Sequence, residues 1–132
     1  MRNRLLIAAI LSAAAAAALS GCAGLPAGYG QIDGHKYHPT PIDTYSVQIV
    51  RVDGRDTVGS PVYVDPGPRK VTVQGPPDGT HRFGAQRTID LEVAPCTRYY
   101  LVAVKPNRLM TDFTIRIDHQ EPIAGCSAAA TK

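Results

Sequence analysis

The sequence predicts an all-β fold, a small antiparallel β-sandwich of six or seven strands behind a signal peptide and a flexible tether. Three observations predict it. Short runs of β-branched, aromatic and alternating apolar residues recur between residues 45 and 118. Clusters of Gly, Pro, Asp and Asn separate most of them. No segment beyond the N-terminal apolar block carries a convincing helical period. A chain of 132 residues has room for one domain. With 19% charged residues and no tryptophan, its composition excludes a polytopic membrane protein, a large multidomain enzyme and a highly charged disordered chain.

Residues 1–21 read as an export signal. Arg2 and Arg4 form a charged n-region, and residues 5–19, LLIAAILSAAAAAAL, form an apolar block too short to cross a bilayer comfortably. Removing 1–21 takes away two arginines and no acid, which lowers the formal charge from +3 to +1. That near-neutral balance removes the main electrostatic support for a nucleic-acid partner.

Residues 22–43 are rich in Gly and Pro and lack hydrophobic period, so they are expected to form a tether. About 20 flexible residues span roughly 25 Å. The β-sandwich is expected over residues 44–126, with 127–132 as a disordered tail. Residues 45–52 alternate and end at Asp53-Gly54, a strong turn signal. Residues 61–64 make a second short run, stopped by Asp65-Pro66-Gly67-Pro68, and 70–74 a third, closed by 75–79. Residues 88–93 alternate cleanly and direct Ile89, Leu91 and Val93 inward. Residues 99–104 are apolar on both faces, as a central strand requires. Residues 113–118 return to alternation, with Phe113, Ile115 and Ile117 inward.

A hairpin joining the last two runs through 106–108 brings Cys96 and Cys126 to its open end. Exported chains meet oxidising conditions, so a Cys96–Cys126 disulfide is expected. The alternative is two free, separately buried thiols.

Leu19-Ser20-Gly21-Cys22 resembles a bacterial lipobox, with an aliphatic residue three before the cysteine and small residues between. The resemblance implies cleavage between Gly21 and Cys22, a diacylglyceryl thioether on Cys22 and usually a third acyl chain on its amine. Ala23 resembles an outer-membrane address in a double-membraned host, which implies a lipid-anchored protein facing the periplasm. Residues 52–54 and 61–73, VDG and PVYVDPGPRKVTV, resemble the PEGA-type and carboxypeptidase-regulatory-like β-sandwich modules. Residues 121–126, EPIAGC, look like small uncharacterised proteobacterial lipoproteins. Neither resemblance implies catalytic residues.

The candidate chemistry is sparse. His35 and His38 form an H-x-x-H pair, with His81 and His119 elsewhere. They can be read as metal ligands or as solvated tether residues; we expect no metal site and no cofactor, because a structural zinc needs four well-held ligands. There is no G-x-S-x-G elbow and no H-E-x-x-H. Asp90 and Glu92 share a strand face, where a sugar could be flanked, but alternation on a solvated face explains them equally. No catalysis is expected. Tyr63, Tyr99 and Tyr100 are candidates for a sugar- or peptide-binding platform, against a role in the core or in strand pairing. Arg69, Lys70, Arg82, Arg87, Arg98, Arg108 and Arg116 either meet anionic envelope polymers or headgroups or simply solvate the surface. The expected function is therefore a lipid-anchored accessory or interaction module of the cell envelope. The alternative is a small-ligand or metal-binding lipoprotein using the tyrosines and histidines.

Overall fold

A computed structural model describes residues 27–127; the signal segment, Gly21 and Cys22 lie outside the described residues. Nine strands form two sheets, and no helix occurs among the described residues. The strands are β1 (Gly30–Asp33), β2 (Thr44–Ser46), β3 (Gln48–Val52), β4 (Arg55–Asp56), β5 (Val62–Val64), β6 (Gly67–Gln74), β7 (Gln86–Val93), β8 (Thr97–Val104) and β9 (Thr114–Pro122). The smaller sheet runs β4-β3-β6-β7, all antiparallel. The larger sheet is built around β8, whose apolar run suits a strand with neighbours on both edges. Antiparallel β9 covers one edge of β8 along its whole length. The other edge is shared: β1 pairs with Arg98–Tyr100 in parallel, and β2 pairs with Val102–Val104 antiparallel. β5 lies on the far side of β1.

Alternation sorts the side chains. Ile32, Val62, Val64, Tyr99, Leu101 and Ala103 of the larger sheet, with Phe113 from the loop before β9, meet Ile49, Val52, Val71, Val73, Leu91 and Val93 of the smaller one in a single core. Full burial of a valine or leucine is worth about 1.5–3 kcal/mol, so this valine-rich layer is the main favourable term. Asp53 and Gly54 both take positive φ, 49° and 79°, which is the two-residue turn the D-G signal calls for between β3 and β4.

Three sequence readings change. The first run, 45–52, is not one strand: the chain leaves the larger sheet after Ser46 and enters the smaller one at Gln48. Val47 is buried at the crossing, and its N–H donates to the Gly34 carbonyl at 2.8 Å. A Cβ on Gly34 would lie 2.0 Å from the Val47 oxygen, so only glycine admits this approach.

Second, residues 22–43 are not a tether throughout. Gly30–Asp33 is buried at every position and sits inside the larger sheet, so the domain starts well before residue 44. Gln31 and Asp33 look like loop residues because their partners lie some 65 positions downstream. Third, β1 and β8 form a parallel pair within an otherwise antiparallel sandwich.

Cys96 and Cys126 lie at disulfide distance with Cα atoms 5.5 Å apart, at the open end of the β8–β9 hairpin. The Ile123 amide donates to the Cys96 carbonyl and the Cys96 amide to that of Gly28, which ties both chain ends to this end of the sandwich.

Candidate functional site

The face of the larger sheet turned away from the core gathers polar and aromatic side chains from distant parts of the chain. In β8 the core takes Tyr99, Leu101 and Ala103, so Arg98, Tyr100 and Val102 point to the other face. Register places Asp33 beside Tyr100 on one side and His119 beside it on the other. The two adjacent tyrosines therefore separate. Tyr99 is 5% exposed, and its hydroxyl accepts the Ala94 amide at 2.9 Å, so it is a core residue and does not join a platform. Tyr100 is half-buried on the outer face.

One group of contacts centres on Asp33, whose side chain is 3% exposed. Its carboxylate accepts from the Arg98 guanidinium, from the His35 amide at 2.9 Å, from His35 Nδ1 at 2.7 Å and from the Ser60 hydroxyl at 2.8 Å. Burial alone would raise its pKa, but Arg98, His35 and Ser60 together outweigh burial and hold it at about 2. Arg98 lies 4.9 Å over the Tyr100 ring. The Tyr100 hydroxyl donates to Glu121 at 2.8 Å, and burial together with that bond pushes it up to about 12.

An Asp, a His and a Ser in contact invite a comparison with nucleophilic catalysis, but the geometry differs. A working triad places the acid on one imidazole nitrogen and the hydroxyl on the other. Here Asp33 and Ser60 both approach Nδ1, and Ser60 gives its proton to the carboxylate. The arrangement locks β1, the loop before β5 and β8 together.

A second group is built on a β-bulge. The β8–β9 register shifts between Tyr100 and Leu101, leaving Asp118 as the extra residue of β9. The bulge turns its carboxylate, 3% exposed, to accept the amides of Tyr37 at 3.0 Å and His38 at 2.8 Å, with His38 Nδ1 at 3.4 Å. Burial again opposes ionisation, and these donors lower the pKa despite it. The segment after β1 is thereby pinned across the sheet. The Tyr37 ring stacks on His119 at 3.8 Å with an interplanar angle of 12°, and Tyr100 lies 4.9 Å from it. Tyr37 stays 43% exposed, so this is a fixed aromatic platform open to solvent.

The histidines of the H-x-x-H pair thus have separate carboxylate partners, Asp33 and Asp118, and both belong to this face. Among the described residues no three His, Cys, Asp or Glu side chains gather in a metal-holding arrangement. Tyr63 is half exposed on β5, 5.3 Å from the Tyr29 ring, and borders a cleft of about 530 Å³ with Asp53, Arg55, Thr57 and Arg69. Asp90 pairs with Lys70 at 2.9 Å across an exposed strand face.

Sequence reasoning missed Tyr37, Asp118 and the roles of Asp33 and His119. No local signal marks them, because a bulge and a contact spanning 65 or 80 residues leave no periodic trace. Fold and outer face together define a small all-β sandwich domain with a braced aromatic and ionic surface. No known protein-family model, curated protein or solved structure matches the chain.

Proposed function

We propose that this protein is a lipid-anchored accessory module of the bacterial cell envelope that binds a partner non-covalently and catalyses nothing. The anchor reading draws on Leu19-Ser20-Gly21-Cys22 and the apolar block before it; outer-membrane attachment facing the periplasm draws on Ala23. The single observation supporting the binding role is the platform of Tyr37, His119 and Tyr100, solvent-exposed yet held by two buried carboxylates. Such preordering lowers the entropic cost of association.

The test places a photo-crosslinking residue at Tyr37 in cells, with Glu92 on the other sheet as the comparison site. A discrete adduct from position 37 alone supports the role. Adducts from neither position, or from both equally, overturn it. Intact mass of the membrane-extracted protein tests the anchor separately, the expected species starting at Cys22 and carrying acyl groups.

A second reading, a small-ligand site, draws on the Tyr63 cleft, where Arg55 has no ion pair among the described residues. A low-molecular-mass envelope fraction that shifts the Tyr63 ring resonances and leaves those of Tyr37 unmoved would select it.

A further inference from the structure

The end of the sandwich opposite the disulfide carries a different surface. It is formed by the loop between β6 and β7, residues 75–85, and the β8–β9 loop, residues 105–113. Three large apolar side chains project from it: Phe83 is 73% exposed, Leu109 70% and Met110 44%. Hydrogen bonds brace the backbone that carries them. Asp78 accepts the amides of Thr80 and His81, both at 2.7 Å, and Gly75 donates to Ala85 at 2.9 Å. Gln74 reaches the Phe83 carbonyl. In the other loop Asn107 accepts the Leu109 amide on its side chain and the Met110 amide on its carbonyl. The buried Lys105 ammonium, set 5.5 Å over the Tyr45 ring, holds the Met110 carbonyl at 3.1 Å. Gly79 and Leu109 join the two loops backbone to backbone at 3.3 Å.

The charge around this tip is basic in excess but mixed. Arg82 and Arg108 flank the apolar residues and have no ion pair among the described residues, Asp112 pairs with Arg87, and Asp78 is held by the His81 and Thr80 amides, while Asp43, whose carbonyl accepts the Lys105 amide, is exposed beside them. Apolar side chains protruding from hydrogen-bonded loops beside unpaired guanidinium groups match a lipid headgroup boundary, where the chains enter the acyl region and the arginines meet phosphates. A protein partner would more commonly meet a flatter patch whose apolar centre is packed from behind. We propose that this tip docks on an anionic phospholipid surface, so that the domain lies against the bilayer that holds Cys22.

The inference rests on the lipid-anchored reading for its geometry. β1 runs parallel to β8, so the chain enters the sandwich at the disulfide end, away from the tip. The sandwich is about 26 Å long, as its eight-residue strands dictate. Because Gly28 is held to Cys96, the free reach is the six steps from Cys22 to Gly28, up to roughly 20 Å. That reach brings the tip to the same leaflet with the sandwich tilted against the bilayer, not upright on it.

The test uses Phe83→Trp, which supplies the one tryptophan in a chain that has none. The lipidated protein is reconstituted in phosphatidylcholine vesicles and in vesicles containing phosphatidylglycerol, each with and without bromine-bearing acyl chains. Blue-shifted emission quenched by bromine in the anionic vesicles, and weakened by salt, is the expected result. Arg82→Gln with Arg108→Gln should lower the docked-to-free ratio roughly thirtyfold, since each basic residue near such a surface contributes a factor of about five. Emission typical of water and unquenched in both vesicle types overturns the proposal, and then a protein partner becomes the occupant to seek. Protein that fails to float with any vesicle shows instead that the anchor reading has failed.

Discussion

Replacing Asp33 by asparagine tests whether the outer face is held from within. The carboxylate is almost wholly buried and accepts four hydrogen bonds, one of them from Arg98. Its pKa falls from 3.8 to about 2 on folding. The folded state therefore binds this proton more weakly than the unfolded chain does, and ionisation contributes about 2 kcal/mol of stability. That contribution is complete above about pH 4 and is lost as pH falls through about 2. Asparagine removes it at all pH values and turns an amide donor toward groups that need an acceptor, adding about 1 kcal/mol. A loss of about 3 kcal/mol at pH 7 is expected, at the lower edge for a broken buried ion pair because Arg98 keeps some solvent. In a domain of this size the melting temperature should drop by roughly 12–24 °C. Urea unfolding at a series of pH values reads both effects, and the gap between parent and variant should narrow to about 1 kcal/mol near pH 2. Stabilities within about 0.5 kcal/mol at pH 7, or a gap that stays constant on acidification, would refute the reasoning.

The remaining predictions probe other parts of the frame. Gly34→Ala pushes a methyl group into the Val47 carbonyl and should cost more than about 2 kcal/mol in thermal or chemical unfolding, whereas a true tether would tolerate it. Replacing Cys96 and Cys126 together by serine opens a link spanning 30 residues and should lower stability by roughly 3–4 kcal/mol, read by denaturant unfolding without reductant. Asp118→Ala removes the acceptor of two loop amides, so hydrogen exchange at Tyr37 and His38 should accelerate while exchange in β6 stays unchanged.

Much of the frame was legible in the chain. Alternation at 88–93 and the two-sided apolar run at 99–104 identify an outer and a central strand because each encodes its own burial within a few residues. The Asp53-Gly54 turn is equally local. Four residues of β1 are too few to show a period, and their Gly, Gln and Asp resemble a loop. What makes GQID a strand is β8, far along the chain. The site was harder still. Tyr100 could be picked as an aromatic on a strand, but assigning it and Tyr99 to opposite faces requires knowing which face meets the core. Asp118 became a loop clamp through one extra residue in a ladder, a feature with no signature in composition.

The parallel pairing of β1 also bears on how the domain carries load. Force arriving through the residues that precede Gly30 runs along the axis of β1, which is bonded to β8 on one edge and to β5 on the other. Pulling the strand free means sliding it past both neighbours, so those ladders bear the load together instead of parting one bond at a time. The Asp33–Arg98 contact sits at the far end of that strand as a stop against the same slide. Tension applied through the residues before Gly30 would thus meet the domain in a shearing direction, with the two ladders of β1 as its mechanical stop.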